Sequence, residues 1–542
     1  MQKRGGGTGL VYDRGMGWER IAVGLTLVIF VVIYARTSDY AYVWDDVDAI
    51  AENPIFAGPV LDGLFATQHD HLDPAFRKLS GIKPAHDSYR PLLYLSYRAD
   101  LALFGMSPRA MHLHNLVLGL ACILAFYVVA SGWLLSRGAV VPATILFALH
   151  PLQVEAVAYV SARGDLLAAL FALVALALAF RAANGASPGM TPTLRGFTIA
   201  GSTLCFVASL LCKEAYLGLP IALAGIALAQ ATLRRHHAVI ASWLAALGLY
   251  LLLRFSVGGV TGSGTGASAV LALPGVLLQY LRIALLPVDL STERLHDPSY
   301  VLPGWVALVL FVSWVALRRH RLGESARIVA SGLWWMLVLL APSVIVVSLL
   351  GVLADRYAYL PLAGFAVATS TIIASALENR PRLRIPVAAA AAVWAAMCLA
   401  ITVTQVGVWQ SNRTLYTHAV LTEPESAMAH YRLGHSYARE SRWELAVPLF
   451  ERAAKLDPSN IRVLNNLGVA YLNTQEYRLA ADTFERALAE SGQMHFRAWY
   501  NLGVAKMNLG DGTAACADVA RALEINPNYE AAATFRRASC GE

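Results

Sequence analysis

Eleven stretches of mostly apolar residues divide this chain, and each approaches the roughly 20 residues that a helix needs to cross a bilayer. They lie near 21–34, 111–135, 140–151, 166–180, 197–212, 216–231, 239–253, 305–317, 328–350, 360–377 and 385–406. Little is left for soluble domains. Of the 542 residues 57% are apolar and 15% charged, where a soluble domain carries about 25% charge. The expected fold is all-α, with a polytopic helical membrane domain. The net charge of +7 does not imply a nucleic-acid partner, because the Arg residues stand at the ends of apolar segments rather than on one basic face. Cys122, Cys205, Cys212 and Cys398 lie inside apolar runs, which excludes a disulfide-stapled scaffold and leaves Cys516 and Cys540 as the pair able to bond.

Lys3, Arg4, Arg14 and Arg20 precede the first segment, and no small-residue cleavage site accompanies it. It is expected to be an uncleaved anchor behind a cytoplasmic tail, 1–16. Counting alternately from there places Arg137, Arg181, Arg195, Arg234, Arg235, Arg318, Arg319, Arg321, Arg380, Arg382 and Arg384 on the cytoplasmic side, as the positive-inside rule requires. A further apolar stretch, 270–286, contains Pro274 and Arg282. If it spanned, the cluster at 318–321 would lie outside, so it is expected to be a re-entrant or surface helix in an external loop, 254–303. The membrane domain then occupies 17–408, with a long external first loop, 37–109. An external tail follows over 409–542.

The tail repeats itself every 34 to 35 residues. Leu433-Gly434, Leu467-Gly468 and Leu502-Gly503 recur, as do Tyr437 with Tyr471, Ala446 with Ala480, and Phe450 with Phe484. The pattern resembles the tetratricopeptide signature, with repeats near 427–460, 461–494 and 495–528 and a cap near 529–540. Such hairpins stack into an α-solenoid with a peptide-holding face. A spacer or an oligomerisation surface is the alternative use.

Charged residues at a membrane are costly and point to function first. Asp45 and Asp46 open the first loop and suit a general base or a metal ligand, or else a helix cap or solvated turn. Downstream, His69, Asp70, His71, Asp73, His86 and Asp87 match no metal-ligand spacing, so no metal is expected. Tyr89-Arg90-Pro91 follows. A short connection carries His150, Glu155, Arg163 and Asp165, Lys213-Glu214 ends the fifth segment, and Asp355-Arg356-Tyr357 ends the ninth. Each could be an exposed ion pair of little worth. Yet Arg90, Arg163, Lys213 and Arg356 occupy four external connections where the positive-inside rule disfavours cations, each with acidic company. A pocket that holds a phosphate beside a carboxylate base is expected, supported by Tyr89, His150, Glu155, Asp165, Glu214 and Tyr357.

These residues carry a family likeness. The acidic pair Asp45-Asp46, Ser88-Tyr89-Arg90-Pro91, His150-Pro151 with Glu155, Arg163-Gly164-Asp165, Cys212-Lys213-Glu214 and Arg356-Tyr357-Ala358-Tyr359-Leu360-Pro361 resemble the TMTC family, the transmembrane and tetratricopeptide repeat-containing proteins, and the resemblance runs through the repeat tail. It implies a GT-C type glycosyltransferase that moves a sugar, mannose in the animal members, from a polyprenyl-phosphate carrier to a protein Ser or Thr hydroxyl. By that likeness Asp45 or Asp46 is the base, while Arg90, Arg163, Lys213 and Arg356 hold the donor phosphate. No cofactor is implied. The partners would be the lipid-linked donor, a protein or peptide acceptor held by the repeats, and membrane lipids. Three repeats and an Ala-rich composition suggest a bacterial relative in the inner membrane, with its tail periplasmic. A glycan ligase or polymerase, or a non-catalytic repeat scaffold, is the alternative. A transporter is disfavoured because the charges sit at helix ends rather than mid-span.

Overall fold

Prolines and short polar side chains decide where the long helices begin. Ser107 accepts a hydrogen bond from the Ala110 N–H ahead of Pro108, and Thr191 accepts from Leu194 ahead of Pro192, so both apolar helices start from a capped first turn. The computed structural model describes residues 11–46, 50, 53, 56, 89–134, 137–183, 191–257, 266–291, 294–295, 297–318, 322–350 and 352–541. Two compact units emerge, one ending at Gln410 and one comprising Ser411–Glu542.

The first unit contains α1 (Val11–Tyr34), α2 (Pro91–Phe104), α3 (Pro108–Trp133), α4 (Arg137–Leu149), α5 (Val154–Ala158), α6 (Arg163–Ala183) and α7 (Pro192–Cys212). It continues with α8 (Leu219–Ala229), α9 (Leu233–Val257), α10 (Gly266–Leu285), α11 (Val301–Arg318), α12 (Glu324–Leu350), α13 (Pro361–Asn379) and α14 (Arg384–Val408). Among the described residues nine helices are long and apolar enough to cross a membrane, or ten if the pair Gly138–Leu149 and Pro151–Ala158, bent by 53°, is one span. Eleven are expected from the sequence. Two of the eleven fall outside the nine: the third is that bent pair, and the sixth, where a 3-10 turn at Glu214–Tyr216 precedes the 11-residue α8, is the shorter apolar helix Glu214–Ala229.

The stretch at 270–286 is a shorter apolar helix rather than one of the nine candidate spans. It forms most of α10, whose Val276, Tyr280, Ile283 and Ala284 are buried with Met336 and Leu340 of α12. Close backbone approach joins α12 to α13, since a Cβ on Gly332 would collide with the Gly364 carbonyl and the reverse is equally true. Small residues permit such contact between membrane helices. A two-residue antiparallel pair, Arg294–Leu295 with Val352–Leu353, ties the segment before α11 to the turn that carries Asp355 and Arg356.

The second unit begins with α15 (Asn412–Thr422), started by a reciprocal Ser411–Thr414 capping box. Three helical hairpins follow, α16 (Ala427–Arg439) with α17 (Trp443–Leu456), α18 (Ile461–Asn473) with α19 (Tyr477–Glu490), and α20 (Phe496–Asn508) with α21 (Gly512–Ile525). Their core is Phe450, Leu464, Leu467, Phe484 and Leu502. The recurring glycine serves packing, because a Cβ at Gly468 would stand 2.5 Å from the Phe484 ring. A last helix, α22 (Glu530–Ser539), is tied to α21 by the Cys516–Cys540 disulfide.

Candidate active site

Helix ends and the short turns between them supply most of the charged groups at the candidate site. Arg90 caps α2, Lys213 caps α7, and Arg356 and Tyr357 lie in the 3-10 turn Asp355–Ala358 ahead of α13. Three ion pairs result. Arg90 grips both oxygens of Glu214, at 3.0 and 2.8 Å. Lys213 Nζ reaches both oxygens of Asp165 at 2.6 and 2.7 Å. Arg356 pairs with Glu155 through its guanidinium, and its backbone N–H donates to the same carboxylate at 2.9 Å. Tyr357 stands between them, with Lys213 5.4 Å and Arg356 5.2 Å from its ring centre. Lys213 also lies within electrostatic reach of Arg90 and Arg356; burial and these two cations lower its pKa, while Asp165 opposes them. Arg90 in turn holds Glu214 below the usual carboxylate range, against the effect of burial. None of the three cations is fully sealed, with side chains 26% (Arg90), 12% (Lys213) and 19% (Arg356) exposed.

The acidic pair separates into two environments. Asp45 is exposed, whereas Asp46 is fully buried. Asp46 Oδ1 accepts from the Ser161 N–H at 2.8 Å and hydroxyl at 2.6 Å, and Oδ2 accepts from the Val43 N–H at 3.1 Å. Burial pushes the Asp46 carboxyl up to about 7, with a contribution from Asp45, while those hydrogen bonds pull the other way. Trp44, just before the pair, has a left-handed backbone (φ 56°), an uncommon state for a bulky residue. Its ring stacks on Tyr159 at 5.4 Å, which stacks on Trp409 at 5.1 Å, and Arg356 lies 5.4 Å from the Trp44 ring centre. Asp45 and Asp46 both act electrostatically on Tyr159. Asp45 thus borders the aromatic stack against which Arg356 rests.

Arg163 is not with the other three cations. Its side chain is wholly buried, paired with Asp100 at 2.6 Å and donating to Asn115 Oδ1, Met111 O and Ser96 O at 3.0, 3.1 and 3.4 Å. All three guanidinium nitrogens are thereby engaged inside the protein. Asp100 also bonds His114 Nδ1 at 2.8 Å. His150 is likewise internal, its Nδ1 accepting from the Leu152 N–H at 3.2 Å and its Nε2 2.9 Å from Ala284 O, so it shapes the bend between α4 and α5. Tyr89 is buried and acts electrostatically on Tyr250, as do Arg90 and Glu214. Among the described residues no group of three His, Cys, Asp or Glu could hold a metal ion. His69, Asp70, His71, Asp73, His86 and Asp87 lie outside the described residues. Ser161, Tyr159 and Trp409 belong to the site yet escape sequence reasoning, since all three are uncharged: Tyr159 and Ser161 lie between the charged residues of the connection that carries Glu155 and Arg163, and Trp409 follows the last apolar segment.

The architecture is that of a polytopic helical membrane protein with a tetratricopeptide tail, and charged groups gathered at the ends of its helices. The tetratricopeptide repeat family models match residues 427–460 and 465–530. Human "Protein O-mannosyl-transferase TMTC3" is 32% identical over 187 residues, 33% of this chain and 20% of its own length. Mouse "Protein O-mannosyl-transferase TMTC4" is 26% identical over 496 residues, 79% of this chain and 65% of its own. A Caenorhabditis elegans protein, "Protein O-mannosyl-transferase F38B6.6", is 25% identical over 78% of this chain and 60% of its own. The chain is therefore related to the TMTC proteins, although its matches to human TMTC3 and TMTC1 each span 20% of those proteins.

Proposed function

We propose that this chain is a GT-C type glycosyltransferase of the membrane, moving a sugar from a polyprenyl-phosphate carrier to a protein Ser or Thr hydroxyl. Mannose is the sugar by likeness to the relatives named O-mannosyl-transferases. One observation carries the reading: an exposed carboxylate, Asp45, borders a partly open cluster in which Lys213 and Arg356 lie against the Tyr357 ring and Arg90 is within electrostatic reach of it. Asp45 takes the proton from the acceptor hydroxyl, and the oxygen attacks the anomeric carbon from the face opposite the phosphate. The bond from that carbon to the phosphate oxygen breaks, its electron pair leaves with the polyprenyl phosphate, and the sugar inverts. The cations stabilise the charge that develops on the departing phosphate. Asp46 positions Asp45 by fixing the backbone of Val43 and Ser161. Arg163 braces α2, α3 and α6 rather than touching the donor.

The orientation belongs to the same proposal: N-terminus in the cytoplasm, catalytic turns and tail outside the bacterial inner membrane. The Cys516–Cys540 disulfide supports it, because such bonds persist in oxidising compartments. Mass spectrometry of extracytoplasmic proteins from cells with and without the gene tests the function. Hexose-bearing Ser or Thr peptides that disappear with the gene are expected, and an unchanged glycoproteome contradicts the proposal.

A further inference from the structure

Two buried tyrosine hydroxyls of the first unit have carbonyl partners: Tyr97 donates to Val160 O at 3.1 Å and Tyr280 to Ala354 O at 2.8 Å. Tyr250, near the end of α9, does not. The residue is 4% exposed, yet its hydroxyl meets no hydrogen-bond partner among the described residues. A buried orphan of this kind destabilises a fold, and nothing in the local sequence calls for it. Leu249, Leu251, Leu252 and Leu253 flank it and are 36 to 70% exposed, so a phenyl ring would fill the one inward position as well and leave nothing unpaired. What surrounds the hydroxyl is charged. α9 packs against α7 and α8, whose connection carries Lys213 and Glu214, and Tyr250 lies within electrostatic reach of Glu214, Arg254, Arg90 and Tyr89. Arg254, four residues on, shares the side of α9 that bears Tyr250. The phenol therefore borders the Arg90–Glu214 pair, whose side chains are 26% and 35% exposed.

We propose that Tyr250 is a further donor-binding residue, whose hydroxyl donates a hydrogen bond to the phosphate of the lipid carrier. Arg90 and Lys213 each hold both oxygens of a carboxylate, so they must share their N–H groups with an incoming phosphate. The Tyr250 O–H has no partner to leave. A phenol adds direction rather than charge, placing one short hydrogen bond on an anionic oxygen. The destabilisation carried by the orphaned hydroxyl is relieved by that contact, a trade of stability against function that binding sites commonly show. Because the contact is with phosphate, it does not discriminate between sugars. Naming the phosphate as that of the lipid carrier rests on the transferase reading above; the recruitment of Tyr250 to a phosphate does not.

Full-length protein in phosphatidylcholine nanodiscs is titrated, without acceptor, with polyprenyl phosphate and with polyprenyl-phosphate mannose, and affinity is read from the rise in melting temperature. The wild type should bind both. Tyr250→Phe should weaken both by a similar factor of about tenfold, the scale of a hydrogen bond to a charged group, and without ligand it should melt at or above the wild type, since the orphan is gone. Tyr34 provides the control. Its hydroxyl, at the end of α1, is also buried and unpartnered among the described residues, so Tyr34→Phe should melt likewise and bind both ligands as the wild type does. Nanodiscs that contain phosphatidylglycerol separate the carrier from an ordinary phospholipid headgroup, and the affinities should hold there. The inference is overturned if the wild type binds neither ligand, if Tyr250→Phe binds as the wild type does or melts well below it without ligand, if Tyr34→Phe weakens binding equally, or if phosphatidylglycerol competes as strongly as polyprenyl phosphate itself. The expected binding without sugar transfer by the wild type would uphold the inference and count against the transferase alone.

Discussion

Arg90 and Arg163 stand in similar sequence surroundings, each beside an apolar segment with acidic company, and the structure gives them different work. Arg163 is sealed by Asp100, Asn115 and two carbonyls. Removing it leaves the buried Asp100 with His114 alone, and breaking such a buried pair costs up to about 3–5 kcal/mol. Arg163→Met should therefore lower the melting temperature sharply, whereas Arg90→Gln, at a partly open pair, should melt near the wild type and chiefly raise the donor KM. Equal melting of the two variants contradicts this division. Sequence could not separate them, because the groups that enclose Arg163 lie 48 and more residues away along the chain. Asp46 has its own signature. Its folded pKa, raised from 3.8 to about 7, makes the folded state hold a proton that the unfolded chain has released. Its contribution is therefore present below about pH 4 and lost as pH rises through 7. Asp46→Asn should flatten the fall in melting temperature across that window, and an unaltered pH profile would show that the carboxyl does not titrate there.

The ends of elements were more legible than their lengths. Pro91, Pro108, Pro192 and Pro361 each stand in the first turn of a helix, and a missing N–H costs nothing there. The candidate site gathers at such ends, which is why its charges could be read from the connections. Helix length was harder to read: 216–231 is apolar throughout, but α8 begins only after the turn fixed by the Lys213 and Glu214 pairs. Those pairs are set by Asp165 and Arg90, far along the sequence. The stack of Trp44, Tyr159 and Trp409 joins three connections and has no local pattern. Contact between α12 and α13 yields a direct expectation. Gly332→Val or Gly364→Val forces apart two backbones in contact, and loss of the folded protein in detergent, read by size-exclusion chromatography, should follow. A variant that elutes and melts like the wild type would refute the close packing.

At the scale of the whole chain, the repeats were plain from their period, and the apolar segments announced a membrane unit. The orientation proposed for both rests on charge bias and on a single disulfide. In intact cells Cys516 and Cys540 should resist a membrane-impermeant maleimide until a reductant is added, and then react together from outside. Reaction without reductant would show that the two thiols are not bonded and remove that support, and reaction only after lysis would place the tail inside and reverse the proposed topology. The central claim is chemical, that Asp45 is the base of a sugar transfer. Purified full-length protein in vesicles, given polyprenyl-phosphate mannose and an unfolded Ser- and Thr-rich acceptor, should form mannosyl peptide, and Asp45→Asn should form it on the order of a hundredfold more slowly, the scale of a lost general base, while melting as the wild type does. Equal rates for the two proteins, or no transfer by either with any polyprenyl-phosphate sugar, would contradict it.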